Sequence, residues 1–370
     1  MDITNHTPYQ AAYNTGLMPS GRYCLIVVIK ATYDFPMGSN STPQQAEEQI
    51  ELYEADAFSG EPGYSSPLYE NDFATHKPKC DLILQHAVAY APEGEPIQQV
   101  QVALNIGAHR KSFRVLGKRV WKKIGPFSYL TEPEPFTEIP LNWEIAYGGV
   151  DETAYEEENL SDACLVNPIG IGYWRKPKAK ITDGTPIAHT EAIDTPITDP
   201  KERHIPQGFG PVGRNWLPRS QYGGTYDEAW AKNDKPFYPQ DFNELYHQCA
   251  PEDQQITYPQ GGEIITLHNL TPEGTLRITL PELKEPVVVE LSNGEQLSLE
   301  TMIDTITLDM QAQKLTLVAR AQYPLKNTIH EVAEFIVGAP PPEPEPEDEE
   351  DEEGWEEDTD EANAEDTRYA

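Results

Sequence analysis

The chain has 370 residues and a formal net charge of −35, with 34 prolines, six Trp, nineteen Tyr and ten Phe. Such acidity argues against nucleic acid or an anionic membrane as partner and favours a basic or polar-aromatic protein surface. The length suggests about two domains as a soft prior, and the aromatic residues are numerous enough to build a core.

The first residues, MDITNHTPYQAAYNTG, carry neither a basic region nor an apolar one, so no secretory signal is expected. The longest apolar run, Tyr23 to Ile29, is strand-length and too short to span a bilayer. Cys24, Cys80, Cys164 and Cys249 are too widely spaced for a disulfide framework or a zinc site. A reduced, cytoplasmic protein without membrane insertion is the expectation.

The fold class expected is mainly β, with antiparallel sheets, a few short helices and a loop-rich middle. Residues 22–35 (RYCLIVVIKATYDF) read as one or two buried strands, rich in β-branched and aromatic residues. Residues 36–66 are polar and turn-rich. Strands resume at Asp81, and Val100, Val102, Leu104 and Ile106 alternate with polar residues at period two. Val115-Leu116-Gly117-Lys118 suggests a hairpin turn. These segments make residues 1–130 an N-terminal β part.

Residues 131–260 form the loop-rich part. From Pro206 to Gln254, six prolines and several glycines are mixed with nine aromatics. That mixture is too apolar for a disordered linker and too broken for a long helix or a central strand. It reads as ordered irregular backbone anchored by rings. Thr225 to Glu228 fits a capping box, with Thr225 as the N-cap. Phe242, Leu245, Tyr246 and Cys249 fall on one helical face, and Cys249 reads as a core residue. Residues 261–338 return to short strands, as a small sandwich or as a continuation of the first sheet. Ile329 to Ile336 reads as a closing helix. Residues 339–370 hold sixteen acids against one arginine, so they carry −15 of the net charge. This Pro-rich and acidic tail is expected to be disordered. It could recruit a partner through Trp355 and Tyr369, mimic a polyanion, or merely solubilise the chain.

No catalytic signature stands out. The nine histidines show no HExxH or HxH spacing, so no metal and no cofactor is expected. The glycines of Gly170-Ile171-Gly172 and Gly208-Phe209-Gly210-Pro211 do not link a strand to a helix as phosphate loops do, and read as structural turns. Arg110, Lys111, Arg114, Lys118, Arg119, Lys122 and Lys123 form a basic run around Trp121. It is either an anion or acidic-partner patch, with a cation–π contact at Trp121, or a charged hairpin with its cations on both sides. Phe209, Trp216, Arg219, Tyr222, Tyr226, Trp230 and Tyr238 are the candidate partner-binding residues. Of Trp216, Tyr222, Tyr226, Trp230 and Tyr238, the majority is expected in the core. A carbohydrate-active or hydrolytic enzyme using paired carboxylates and aromatic platforms stands as the alternative.

Several short motifs occur in order: Asn71-Asp72-Phe73, Lys77-Pro78, Asp81, Trp143-Glu144, Ala146-Tyr147-Gly148-Gly149, Asn167-Pro168-Ile169-Gly170, Gly208-Phe209-Gly210-Pro211, Gly224-Thr225-Tyr226-Asp227, Asp253-Gln254 and Ile303 to Asp309. Together they resemble the domain-of-unknown-function family 2169, accessory proteins of bacterial type VI secretion systems, over roughly Asn5 to Leu325. The chain departs from that pattern at Cys80, where a small hydroxyl residue is expected, and at Gln85-His86, where a glycine is. The resemblance implies a non-enzymatic adaptor or chaperone. Its partner would be a secreted effector with a PAAR-like N-terminal domain, which it would help load onto the trimeric spike protein. It implies no catalytic residues. A structural component delivered with the machine is the remaining rival.

Overall fold

The computed structural model describes residues 1–36, 42–151, 162–175 and 181–340, and residues Met1–Ala339 form one compact unit. Apart from Ala339 and Pro340, the acidic tail lies outside the described residues. The unit is mainly β, with one α-helix among the described residues. Three sheets share its main core.

The largest sheet runs in the order Gln10–Leu17, Tyr23–Asp34, Lys314–Pro324, Met302–Asp309, Cys80–Gln85 and Gln255–Ile256, with Gln44–Gln45 on the side of the second strand. Its pairings are antiparallel except that Met302–Asp309 lies parallel to Cys80–Gln85. A five-stranded antiparallel sheet holds Thr190–Glu191, His109–Leu116, Gln99–Ile106, Ile264–His268 and Thr275–Thr279. A four-stranded sheet joins Asp2–Asn5, Val332–Val337, Val287–Leu291 and Gln296–Leu299. Of the C-terminal strands, Met302–Asp309 and Lys314–Pro324 continue the first sheet, one of the two alternatives expected, while the others join the five- and four-stranded sheets.

Alternation decides what each face of the large sheet meets. Leu315, Leu317, Ala319, Ala321 and Tyr323 enter the main core, together with Leu25, Val27, Ile29 and Ala31 of the neighbouring strand. Strands from the other two sheets supply Phe113, Leu267, Val289 and Phe335 to the same core. Each large apolar side chain buried there contributes about 1.5–3 kcal/mol. The intervening positions, Lys30, Thr32, Asp81, Gln85, Thr305, Thr316 and Arg320, are buried as well. They face the other way, under the loops.

Those loops are tied down by ions. Lys77 Nζ lies 2.9 Å from Asp81 Oδ2 and donates to Thr305 Oγ1 at 2.8 Å. Asp81 also accepts from Gln248 Nε2 at 2.8 Å, Cys249 N at 2.9 Å and Ala250 N at 3.0 Å. Lys30 Nζ bonds Asp72 Oδ2 at 2.9 Å and the Glu51 carbonyl at 3.0 Å, and sits 3.6 Å from the centre of the Tyr53 ring. Arg320 pairs with Asp304 and donates to the Asp72 carbonyl. Burial opposes the charge on Asp81, yet Lys77 and the N–H donors hold its carboxyl below the usual range.

Four local readings are corrected. The helix Glu228–Asn233 takes Asp227 as its N-cap, because Asp227 Oδ1 accepts from Trp230 N, while Thr225 is held by Asp241. Phe242 to Cys249 forms only the short 3-10 turn Glu244–His247, because the amides of Cys249 and Ala250 are drawn to Asp81. Ile329–Glu331 is a 3-10 turn, and Val332–Val337 is a strand between two others. Val115 to Lys118 is no hairpin turn: His109–Leu116 pairs with Gln99–Ile106, whereas Val120–Ile124 pairs with Phe127–Leu130 in a separate sheet. Gly117 stands at this crossing, where a Cβ would lie 1.7 Å from the Glu134 carbonyl oxygen.

Lys77→Met should leave Asp81 buried without its cation and destabilise the fold by about 3–5 kcal/mol in urea unfolding. The sign with pH follows from the lowered carboxyl. Its contribution is complete above about pH 4, the unfolded-state value, and is lost as pH falls through the folded-state value. The variant should lose less stability in acid than the parent. Parent-like stability and acid response would refute the role given to the pair.

Candidate functional site

The segment from Pro206 to Gln254 crosses the charged face of the large sheet, and its expected partner-binding residues separate into two groups. Phe209, Trp216 and Arg219 are buried. Phe209 packs on Phe113 with ring centres 4.7 Å apart, and Trp216 meets Trp143 edge-on at 5.9 Å. Arg219 pairs with Glu70 and donates to the carbonyls of Tyr246 at 2.8 Å and Val212 at 2.7 Å. These three are buried and hold the loop in place, apart from the exposed rings of the same segment. Of the five rings expected mostly in the core, only Trp216 is fully buried.

The others build a ledge. Tyr226 is 56% exposed, and its ring meets Trp230 edge-on at 4.7 Å. Trp230 Nε1 donates to the Phe237 carbonyl at 2.9 Å, which closes the chain after the short helix into a tight bend. Phe237, which the sequence did not single out, is 41% exposed. Its ring rests beside Gly21, in the turn where Gly21 N donates to the Met18 carbonyl. Tyr238 stacks on Phe242 with ring centres 3.9 Å apart and planes nearly parallel. Thr225 N and Oγ1 both donate to Asp241 at the base of the ledge. Tyr222, half-buried, accepts from Asn243 N through its backbone carbonyl.

The basic run does not form one patch. Lys111 points inward, its Nζ 2.8 Å from Asp253 Oδ1 and 5.9 Å from the Phe209 ring centre. Arg114 and Arg119 both bind Glu191, at 2.7 and 3.0 Å. Trp121 is buried among apolar residues. Arg110, Lys118 and Lys123 are exposed, and Lys122 is half-buried. Alternation divides these cations between two faces, and Glu191, seventy residues downstream, had no local signal to announce it.

A second feature escaped the sequence. A cavity of 880 Å³ is lined by residues of Leu84 to Val88, Trp143, Phe209, Leu276 and Met310. His86 stands on its wall at φ 51°, and His86 Nδ1 lies 3.0 Å from Asp309 Oδ1. Burial raises the Asp309 carboxyl, but the Ala312 amide, His86 and Tyr69 outweigh it and hold it low. No three His, Cys, Asp or Glu side chains converge as a metal requires among the described residues.

Beside the charged layer lies His247, against the rings of Phe242 and Tyr246. Burial, then the nearby charges of Arg214, Lys77, Arg219 and Arg320, lower it to about 3.

A family model described as an uncharacterized protein conserved in bacteria, DUF2169, matches residues 20–320. No curated protein and no solved structure matches the chain.

The low value of His247 has a sign that can be checked. The folded chain binds fewer protons there than the unfolded chain between about pH 3 and 6.5, so stability rises with pH across that window. His247→Gln should reduce the slope of unfolding free energy against pH there by up to about one proton. An unchanged slope would place this ring in solvent.

Proposed function

This chain belongs to the DUF2169 family of uncharacterized bacterial proteins, and we propose that it is a non-enzymatic adaptor that holds another protein through its aromatic ledge. The observation that carries the reading is the presentation of Tyr226 and Phe237 to solvent on backbone fixed by Asp227, Trp230 and Asp241. Rings held this way bind at little further entropy cost, and aromatic anchors of this kind dominate protein interfaces at about 2 kcal/mol or more each.

Charge supports the same reading. The acidity of the chain repels nucleic acid and its own copies and favours a basic or polar-aromatic protein surface. Asp72, Asp81, Asp304, Glu70 and Glu191 are already matched to Lys30, Lys77, Arg320, Arg219 and the Arg114/Arg119 pair. Carboxylates used in this way hold loops in place and are not free for general acid–base work.

The partner class follows from the resemblance of the sequence motifs to type VI secretion accessory proteins. In this reading the chain acts in the bacterial cytoplasm. It binds a toxic effector by a PAAR-like N-terminal domain, keeps that domain soluble and passes it to the trimeric spike protein. Among the described residues no helix is long and apolar enough to cross a membrane.

A tagged pull-down from the native host, read by mass spectrometry, tests this. The parent should recover one large effector with such a domain. The double variant Tyr226→Ala/Phe237→Ala should lose at least about tenfold of it while its melting temperature stays within a few degrees of the parent's. Full recovery by the folded variant would remove the ledge from the mechanism. Absence of any effector from the parent sample would remove the adaptor reading itself.

A further inference from the structure

The 880 Å³ cavity is not part of the ledge, and what is argued for it stands apart from the adaptor reading. His86 follows the strand Cys80–Gln85 and turns with φ 51°, a conformation that few residues other than glycine adopt, histidine being among the more tolerant. Such outliers gather where a side chain must be aimed. Asp309, at the end of Met302–Asp309, does the aiming. Its Oδ1 takes His86 Nδ1 and the amides of Gln311 and Ala312, each at 3.0 Å, and its Oδ2 takes the Tyr69 hydroxyl at 3.0 Å. A carboxylate only accepts, so Nδ1 carries the proton. In the neutral ring Nε2 is then an acceptor. His86 lines the cavity and is a third exposed.

The remaining walls define what would fit. Phe35, Leu141, Trp143, Leu276 and Met310 give apolar faces. Among the described residues lining the cavity there is no Lys or Arg, and Glu273 is the one acid. An anion would meet repulsion and no counter-charge. The volume falls within the range of about 300–1,000 Å³ typical of small-molecule sites.

We propose that this cavity binds an uncharged ligand of disaccharide or tripeptide size, with O–H or N–H donors set on an apolar frame, and that His86 Nε2 accepts one of those donors. His86 is the recognition group, and Asp309 is a positioning residue that fixes its tautomer and direction.

The test is saturation-transfer NMR and calorimetry on the full chain. N,N′-diacetylchitobiose and N-acetyl-trialanine amide serve as neutral probes, with glucuronate as the anionic control. At least one neutral probe should bind saturably and glucuronate should not. His86→Gly suits the backbone at that position and should leave the fold intact while weakening binding about tenfold. Leu276→Trp should fill the cavity and abolish binding. Binding by the saccharide alone or by the peptide alone identifies the source of the donors. Failure of both neutral probes with the parent chain overturns the proposal. So does equal binding by both variants, or binding of glucuronate as tight as that of the neutral probes.

Discussion

One face of the large sheet carries buried charges among its apolar residues, and the rest of the molecule is arranged around that fact. Lys30, Lys77, Asp81 and Arg320 project from or onto it and are almost wholly buried. Charges in such a place are tolerable only when each is paired and its remaining donors or acceptors are used. The partners come from irregular backbone: the carbonyls of Glu51 and Asp72, the amides of Cys249 and Ala250, the side chain of Gln248. The loops need the sheet's ions to stay folded, and the sheet needs the loops to keep its ions satisfied. A long connection without regular structure is normally costly to order. Here the cost is offset by charge-assisted hydrogen bonds between largely buried groups.

This mutual dependence explains the motifs that make the sequence resemble its family. Asp72, Lys77, Asp81 and Asp304 are separate entries in the sequence pattern, and in space they are one layer. Gln254, from another motif, donates to the carbonyls of Leu82 and Phe209 and so ties a third. Trp143 Nε1 donates to the Pro211 carbonyl at 2.7 Å, and a Cβ at Gly208 would lie only 3.0 Å from the Trp143 ring. The glycine-rich turn there is a packing device, as its sequence context suggested.

Strands were readable because their signal is local. Period-two alternation in Gln99–Ile106 and the β-branched run in Tyr23–Asp34 state the element outright. What alternation does not state is the nature of the second face, so Lys30 and Lys111 could not be told from surface lysines. The ends of the loop-rich segment failed for a related reason. The pattern from Phe242 to Cys249 is helical on paper, but the amides that would propagate a helix are taken by Asp81, more than 160 residues away. Val332–Val337 likewise owes its strand form to pairing with Val287–Leu291 and with Asp2–Asn5, the latter at the other end of the chain. In each case a distant partner overrode a local preference, and a single sequence carries no trace of that partner.

The candidate sites divide along the same line. Of the ledge, Tyr226, Trp230 and Tyr238 were legible as aromatics in a segment too apolar to be a linker, but their exposure was not, since burial depends on what the scaffold leaves uncovered. Phe237 belongs with them only because the bend closed by Trp230 Nε1 turns it outward. The pairing of His86 with Asp309 spans more than 220 residues and the parallel strand contact between Cys80–Gln85 and Met302–Asp309. That contact is the one parallel pairing of the large sheet among the described residues, and it places the two strand ends side by side at the cavity wall. An antiparallel pair would have set the end of one strand against the start of the other and kept His86 from Asp309. The topology that closes the charged layer is therefore also what brings an imidazole and a carboxylate together at its edge.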